Sequence, residues 1–348
     1  MLLFFINHPA QFHLFKHTIR YFLTEGMSCK IIIVSKDILE ELVLREKWDY
    51  ENIFPEGRRA KKNTLLSVIQ FAIETEKRLI KVIKESRPRL LIGTEGTLAH
   101  VGLWCGIKTL LVNEDDTSVN AWNFLTYPFA TKVVMPECCD PHRWKRKRIS
   151  YQGLHEVAYL HPNYFQPDRA VVEKYIRPDM PYYILRLVSL TASHDHGKKG
   201  LEDKQLIRLM GLLKAFGNVY ITSERPLKEE FQSYLLPVPV EEIHHAMAFC
   251  DMFIGDSQTM AAEAAVLGVP SIRYNDFAGK LNYLEMLEHQ YQLTFGFKTS
   301  EFEMMMNKIK DLLQNKDETD SMEQRHKQLL LDMVDVTAFL IQTVRKYL

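Results

Sequence analysis

Short apolar runs that alternate with helix-length stretches constrain this chain more than any other feature. Leu2 to Ile6 is a continuous apolar run suited to a parallel strand covered on both faces. Pro9 interrupts it, and Phe12, Phe15, Ile19 and Phe22 then recur at helical spacing up to Gly26. The pattern repeats. Ile31 to Val34, Leu90 to Ile92, Thr109 to Val112 and Lys132 to Met135 read as further strands. Helices are expected over Ile38 to Val43, Leu65 to Glu85 and Thr97 to Cys105. A second series places strands at Tyr182 to Leu190, Val219 to Thr222, Met252 to Ile254 and Pro270 to Arg273. Its helices fall near Asp203 to Phe216, Lys228 to Tyr234 and Val240 to Phe249. Repeated βα units of this kind predict an α/β protein with mostly parallel, doubly wound, Rossmann-like sheets and right-handed crossovers.

Lys132 to Met135 is expected to be the last strand of the first series. His142 to Pro167, with Arg143, Lys145, Arg146, Lys147 and Arg148 and then Gly153, Pro162 and Pro167, breaks the rhythm and reads as the end of a domain and a linker. The expected division is 1–160, 161–330 and a C-terminal helical segment, 331–348. A length of 348 residues suits two domains of ordinary size. In such sheets ligands bind beyond the carboxyl ends of the strands, so two domains facing each other would hold one in the cleft between them.

Charge narrows the partners. Lys and Arg number 44, as do Asp and Glu, so the formal net charge is zero and carries no nucleic-acid footprint. The cluster Arg143–Arg148 fits a peripheral contact with an anionic membrane, or with a phosphorylated acceptor, better than it fits nucleic acid. Five cysteines (Cys29, Cys105, Cys138, Cys139 and Cys250) show no paired metal spacing and no complete disulfide framework, and read as reduced thiols. The first residues lack a basic leader, and no apolar stretch is long enough to span a bilayer, so a cytoplasmic protein, with membrane association through that cluster as an option, is expected.

The densest signal is the segment GDSQTMAAEAAVLGVP, Gly255 to Pro270, between two apolar runs. It predicts strand, tight turn, helix and strand. Helix N-termini present unpaired N–H groups and the positive end of the macrodipole, so an anion such as a diphosphate is favoured on the turn Gly255, Asp256, Ser257, Gln258 and Thr259. An attached ribose would then reach Glu263, one acid among small residues. The alternative is an ordinary Ala-rich helix with Asp256 and Ser257 as N-caps.

Four other loops close predicted strands. Asn7 to His13 carries His8 and His13, candidates for general acid/base work because imidazole titrates near neutrality. His8 is expected to face the cleft, and His13 to pack or cap. Gly93 to Thr97 presents Glu95 between glycines, or simply an N-cap turn with Thr97 as the cap. Asn113 to Asp116 gathers three acids whose repulsion needs an offsetting partner, with Glu114 the best candidate base; no metal site is expected there. Ser193 to Gly200 (SHDHGKKG) combines hydroxyl, imidazoles and ammonium groups ahead of a helix, with Ser193 and His194 the candidates, but lacks the order of a Walker loop. Arg186, inside a predicted buried strand, is expected to pair with an acid or anion, and Thr222, Ser223, Glu224 and Arg225 close the next strand beside it.

The motifs NHPAQFH, ASHDHG and GDSQTMAAEAAVLGVPSIRYND together resemble an uncharacterised prokaryotic family, a domain of unknown function. It is related to GT-B glycosyltransferases and to UDP-N-acetylglucosamine 2-epimerase. The resemblance covers nearly the whole chain and implies two Rossmann-like domains, a final helix crossing back to the first, and a nucleotide sugar, UDP-linked, as substrate with an acceptor to be found. No cofactor is implied. It also implies that Ser257 and its neighbours hold the diphosphate and that Glu263 binds ribose. The epimerase comparison puts catalytic acids at Glu95 and Glu114 and a histidine at His194, but the further acid it requires falls in Ser118 to Phe124, which contains none. A metal-independent glycosyltransferase is therefore the favoured expectation, with a sugar epimerase or hydrolase, or a non-catalytic nucleotide-sugar-binding or scaffold protein, as alternatives.

Overall fold

Runs rich in Ile, Leu and Val bury both faces only when helices cover them, and the strands they form are all parallel among the described residues. The computed structural model describes residues 1–36, 38–57, 65–120, 122–177, 179–188 and 200–348, with only the main chain at 65 and 316–320. These residues fall into two compact units, Met1–Tyr159 with Met333–Leu348, and Leu160–Asp332.

In the first unit the strands are β1 (Leu2–Ile6), β2 (Cys29–Val34), β3 (Tyr50–Phe54), β4 (Leu90–Gly93), β5 (Lys108–Val112), β6 (Lys132–Pro136) and β7 (Arg148–Tyr151). Its helices are α1 (Pro9–Thr24), α2 (Leu39–Arg45), α3 (Leu65–Ser86), α4 (Thr97–Cys105), α5 (Asn123–Thr126) and α6 (Val157–Leu160). The sheet runs β3-β2-β1-β4-β5-β6-β7, so its strand order reverses between β1 and β4. The second unit carries β8 (Tyr182–Leu187), β9 (Asn218–Ser223), β10 (Met252–Gly255), β11 (Ser271–Tyr274) and β12 (Thr294–Phe297) in the order β12-β11-β10-β8-β9. Here the reversal lies between β8 and β10. Its helices are α7 (Arg169–Val172), α8 (Asp203–Leu213), α9 (Glu229–Gln232), α10 (Ile243–Ala248), α11 (Gln258–Val266), α12 (Asn282–His289), α13 (Phe302–Gln314) and α14 (Lys316–Asp332). A last helix, α15 (Val336–Tyr347), belongs to the first unit and packs on α1.

Three strands depart from the sequence expectation, and for one reason. β3, β7 and β12 are edge strands with half-exposed residues, so they lack the apolar run that marks a central strand. β7 corrects the reading of Lys132 to Met135 as the last strand of its sheet. It also corrects the reading of His142 to Pro167 as a linker: the basic residues form a 3₁₀ turn, His142–Lys147, and then β7 itself, paired to β6. The helices expected at Lys228 to Tyr234 and Val240 to Phe249 shorten to α9 and α10, the latter entered from a 3₁₀ turn after Pro239. The end of the strand expected to reach Leu190 lies outside the described residues.

Candidate functional site

In doubly wound sheets ligands bind where the strand order reverses, and each unit has one such point. In the second unit it is formed by the carboxyl ends of β8 and β10. Gly255 ends β10 because nothing larger fits: a Cβ there would lie 2.6 Å from the Arg186 carbonyl oxygen on β8. The backbone then turns through Asp256 into α11, whose N-cap is Ser257; its Oγ accepts from the Met260 N–H at 3.3 Å. Asp256 is not a cap. Its Oδ1 accepts from the Val188 N–H at 2.7 Å, fastening the turn to the end of β8.

Side chains brace the same turn. Gln258 Nε2 donates to Asn275 Oδ1 at 2.6 Å, and Asn275 Nδ2 donates to the Asp256 carbonyl at 2.9 Å, which ties the turn to the end of β11. Arg186, as its position inside a strand predicts, has an acid partner: it bonds Glu224 and donates to Thr222 Oγ1 at 2.9 Å. Ser223 Oγ donates to the Arg225 carbonyl at 2.7 Å, and Arg225 Nη2 reaches the Leu201 carbonyl at 2.6 Å. Thr259 is half-buried in the first turn of α11.

Three buried polar atoms around this turn, Asp256 Oδ2, Gln258 Oε1 and Arg186 Nε, have no hydrogen-bond partner among the described residues. An unmet buried polar atom costs about 1–3 kcal/mol. Burial raises the Asp256 carboxyl from 3.8 to about 6, against the lowering effects of the Val188 N–H and of Arg225 and Arg186. Protonated, it is a hydrogen-bond donor as well as an acceptor. Ser193 and His194, the remaining candidates from this unit's first loop, lie outside the described residues.

Glu263 sits two turns into α11, only 5% exposed, with its Oε1 3.1 Å from His244 Nε2 on α10. His244 was not among the residues the sequence singled out. The signal was available, since an acid on an otherwise small, buried helix face requires a polar partner, and a histidine pair occupies the preceding helix.

In the first unit the reversal point brings together the loops after β1 and β4. Gly93 closes β4 as Gly255 closes β10, with a notional Cβ 2.8 Å from the Phe5 carbonyl oxygen. Of the two histidines, His8 takes the capping role and His13 packs as expected. His8 is the N-cap of α1, its Nδ1 accepting from the Ala10 N–H at 3.2 Å, while Pro9 takes the first helical position. His13 packs its ring on Tyr159, with centroids 5.3 Å apart. Glu95 is half-buried, and the helix after it is capped by Gly96 rather than Thr97.

The three acids after β5 are resolved by three different partners. Asp116 Oδ1 accepts from the Asp140 N–H at 2.6 Å, and Asp115 Oδ2 meets Asn120 Nδ2 at 3.4 Å. Glu114 lies 3.4 Å from His155 Nδ1, near the wholly buried Glu156. Burial, with the charges of Glu156 and Asp115, holds the Glu114 carboxyl well above the ordinary range, and burial pushes His155 down to about 3. Burial thus favours the neutral form of both Glu114 and His155. His155 and Glu156 escaped the sequence reading because they fall in the stretch taken for a linker. Among the described residues no group of three or more His, Cys, Asp or Glu is placed to hold a metal ion.

The family model described as a protein of unknown function, DUF354, matches residues 3–347. The chain belongs to the DUF354 family. A relative, the uncharacterized protein MJ0665 of Methanocaldococcus jannaschii, is 26% identical over 278 residues, covering 77% of this chain and 79% of its own. Among solved structures, the spinosyn rhamnosyltransferase SpnG complexed with thymidine diphosphate superposes with a TM-score of 0.66 at 11% identity, covering 99% of this chain and 100% of its own. The UDP-GlcNAc 2-epimerase of Neisseria meningitidis bound to UDP-GlcNAc gives 0.64 at 12% identity, with 99% of each chain covered. Likeness at this identity establishes the fold. This DUF354 chain has the two-domain, Rossmann-like GT-B architecture of glycosyltransferases and sugar-nucleotide epimerases.

Proposed function

We propose that this protein is a cytoplasmic, metal-independent glycosyltransferase that takes a nucleotide sugar, UDP-linked, as donor. The reading is carried by the three unmet polar atoms at the β8/β10 reversal, beside the start of α11. The diphosphate would lie on the Gly255–Thr259 turn, accepting from the first N–H groups of α11 and from protonated Asp256. Arg186, paired with Gly255 across β8 and β10, borders the same turn, Ser223 pairs with Leu187 from the neighbouring β9, and Glu263, oriented by His244, would accept from ribose hydroxyls. Ser193 and His194 are proposed to complete the leaving-group contacts. His8 or Glu95 is proposed as the base that activates the acceptor, with His13 and Glu114 as supporting acid/base candidates.

A second reading, sugar epimerisation, is favoured by one observation: Glu95 and Glu114 follow the adjacent strands β4 and β5, where the epimerase resemblance puts its acids. A thermal-shift series with UDP, other nucleoside diphosphates and their sugars tests the donor site. A ligand at a hundred times its Kd adds about 2.7 kcal/mol, and no shift with any nucleotide overturns both readings. Incubation with UDP-N-acetylglucosamine alone separates them, since an epimer formed without any acceptor favours the second.

A further inference from the structure

The first unit carries an apolar surface whose edge is basic. Trp104, at the end of α4, is 61% exposed, and Leu125 and Phe129, in and just after α5, are 56% and 43% exposed. They are neighbours: the His100 ring lies 6.1 Å from Trp104 and 5.0 Å from Phe129, and its Nε2 meets the Leu125 carbonyl at 3.0 Å. The surface continues onto α3, where Ile69 and Ile73 are also exposed. They share a helical stripe with Glu76, which bonds His100 Nδ1 at 2.7 Å. Phe124, next to Leu125 in α5, packs against His142 and lies under the Arg143 guanidinium, 5.2 Å from it. Arg143, Lys145 and Arg146 are exposed along that 3₁₀ turn, with Asp140 the acid nearest them in sequence.

We propose that this face docks on an anionic lipid surface, the exposed Trp104, Leu125 and Phe129 entering the headgroup boundary while Arg143, Lys145 and Arg146 meet lipid phosphates. The pairing of chemistries decides the occupant. Aromatic and aliphatic side chains of this size on a water-facing surface mark an interaction site, and a fringe of basic residues selects a negatively charged one. Among the described residues no helix is long and apolar enough to cross a membrane, so the contact is peripheral. Nucleic acid fits the basic fringe but not the aliphatic Leu125, Ile69 and Ile73 beside it. None of these residues is among those assigned to the donor, and this inference stands or falls apart from that assignment.

The test is co-sedimentation of the full chain with vesicles of phosphatidylcholine alone and of phosphatidylcholine mixed with phosphatidylglycerol. Binding to the anionic vesicles, weakening with added salt, is expected. Arg143→Gln, Lys145→Gln and Arg146→Gln together should weaken it on the order of a hundredfold, roughly fivefold for each charge lost. Trp104→Ser with Leu125→Ser and Phe129→Ser should weaken it as well, and because all three are exposed the melting temperature should hold. Absence from the anionic vesicles overturns the proposal, as does binding that neither variant changes. Retention by an RNA oligonucleotide in place of vesicles, or a dimer that the Trp104 variant breaks without any vesicle binding, overturns it equally.

Discussion

Asp256 Oδ1 accepts from the Val188 N–H at 2.7 Å, while Oδ2 of the same carboxyl is buried with no partner among the described residues. One oxygen therefore fixes the turn, and the other lies against Gly200, where a Cβ would come within 2.3 Å of it. The carboxyl titrates near 6 because burial penalises its charge. A nucleotide sugar, whose diphosphate has no titration in this range, should bind more tightly as pH falls through about 6 and Asp256 gains a proton. Asp256→Asn, with a permanent amide donor, should bind with a flat profile; calorimetry from pH 5 to 8 would show a sloping profile in both proteins if another group is responsible.

The same shift has a sign for stability. A carboxyl raised in the folded state contributes its stabilisation fully below the unfolded value of about 3.8 and loses it as pH rises through about 6. Asp256→Asn should therefore gain stability relative to the parent between about pH 4 and pH 7, and match it at lower pH. Urea denaturation at a series of pH values measures the difference.

Gly255→Ala brings a methyl to 2.6 Å from the Arg186 carbonyl, and main chain cannot give way as a flexible side chain can. A loss of about 1–3 kcal/mol in unfolding free energy is expected, together with loss of the nucleotide thermal shift. A variant as stable as the parent would mean that β8 and β10 part more readily than their spacing implies.

Glu263 and His244 are buried against each other, so removing either costs the other a buried hydrogen-bond partner. Glu263→Ala and His244→Ala should each cost about 1–3 kcal/mol, and the double variant less than the sum. Glu263→Ala should also abolish the preference for ribonucleotides over deoxyribonucleotides. His244→Ala should weaken the nucleotide by a smaller factor if it acts by holding Glu263.

Burial, with the charge of Glu156, raises the Glu114 carboxyl well above its ordinary range. Its stabilisation is likewise lost as pH rises through its raised value, so Glu114→Gln should be at least as stable as the parent at alkaline pH. Turnover with a cognate acceptor should fall while nucleotide binding is kept. His8→Asn is the companion experiment: asparagine preserves an N-cap that is worth about 1 kcal/mol but removes the imidazole. Lost turnover at unchanged stability assigns the ring to chemistry, and unchanged turnover assigns it to capping.

The parallel strands at the centre of each sheet were legible because burial on both faces demands an unbroken apolar run, as in Leu2–Ile6 or Met252–Gly255. Edge strands obey no such demand, and Arg148–Tyr151 was read as linker for that reason. The turn at Gly255 was legible from composition, but the work of its members was not. Asp256 and Ser257 look alike as caps in sequence, and only the proximity of Val188, 68 residues earlier, separates them. His155 and His244 share this obscurity, since each is defined by a carboxylate that tertiary structure delivers.

α15 buries Val336, Leu340 and Val344, and Thr337 Oγ1 donates to the Ala158 carbonyl at 2.7 Å. A ribosome therefore releases every residue of 160–332 before the last element of the earlier lobe exists. Until then α1 lacks its cover, and residues 1–159 must wait as an incomplete body while the later lobe is free to fold. Expressing that first lobe by itself would require splicing the distal helix onto it, because its sequence is not contiguous.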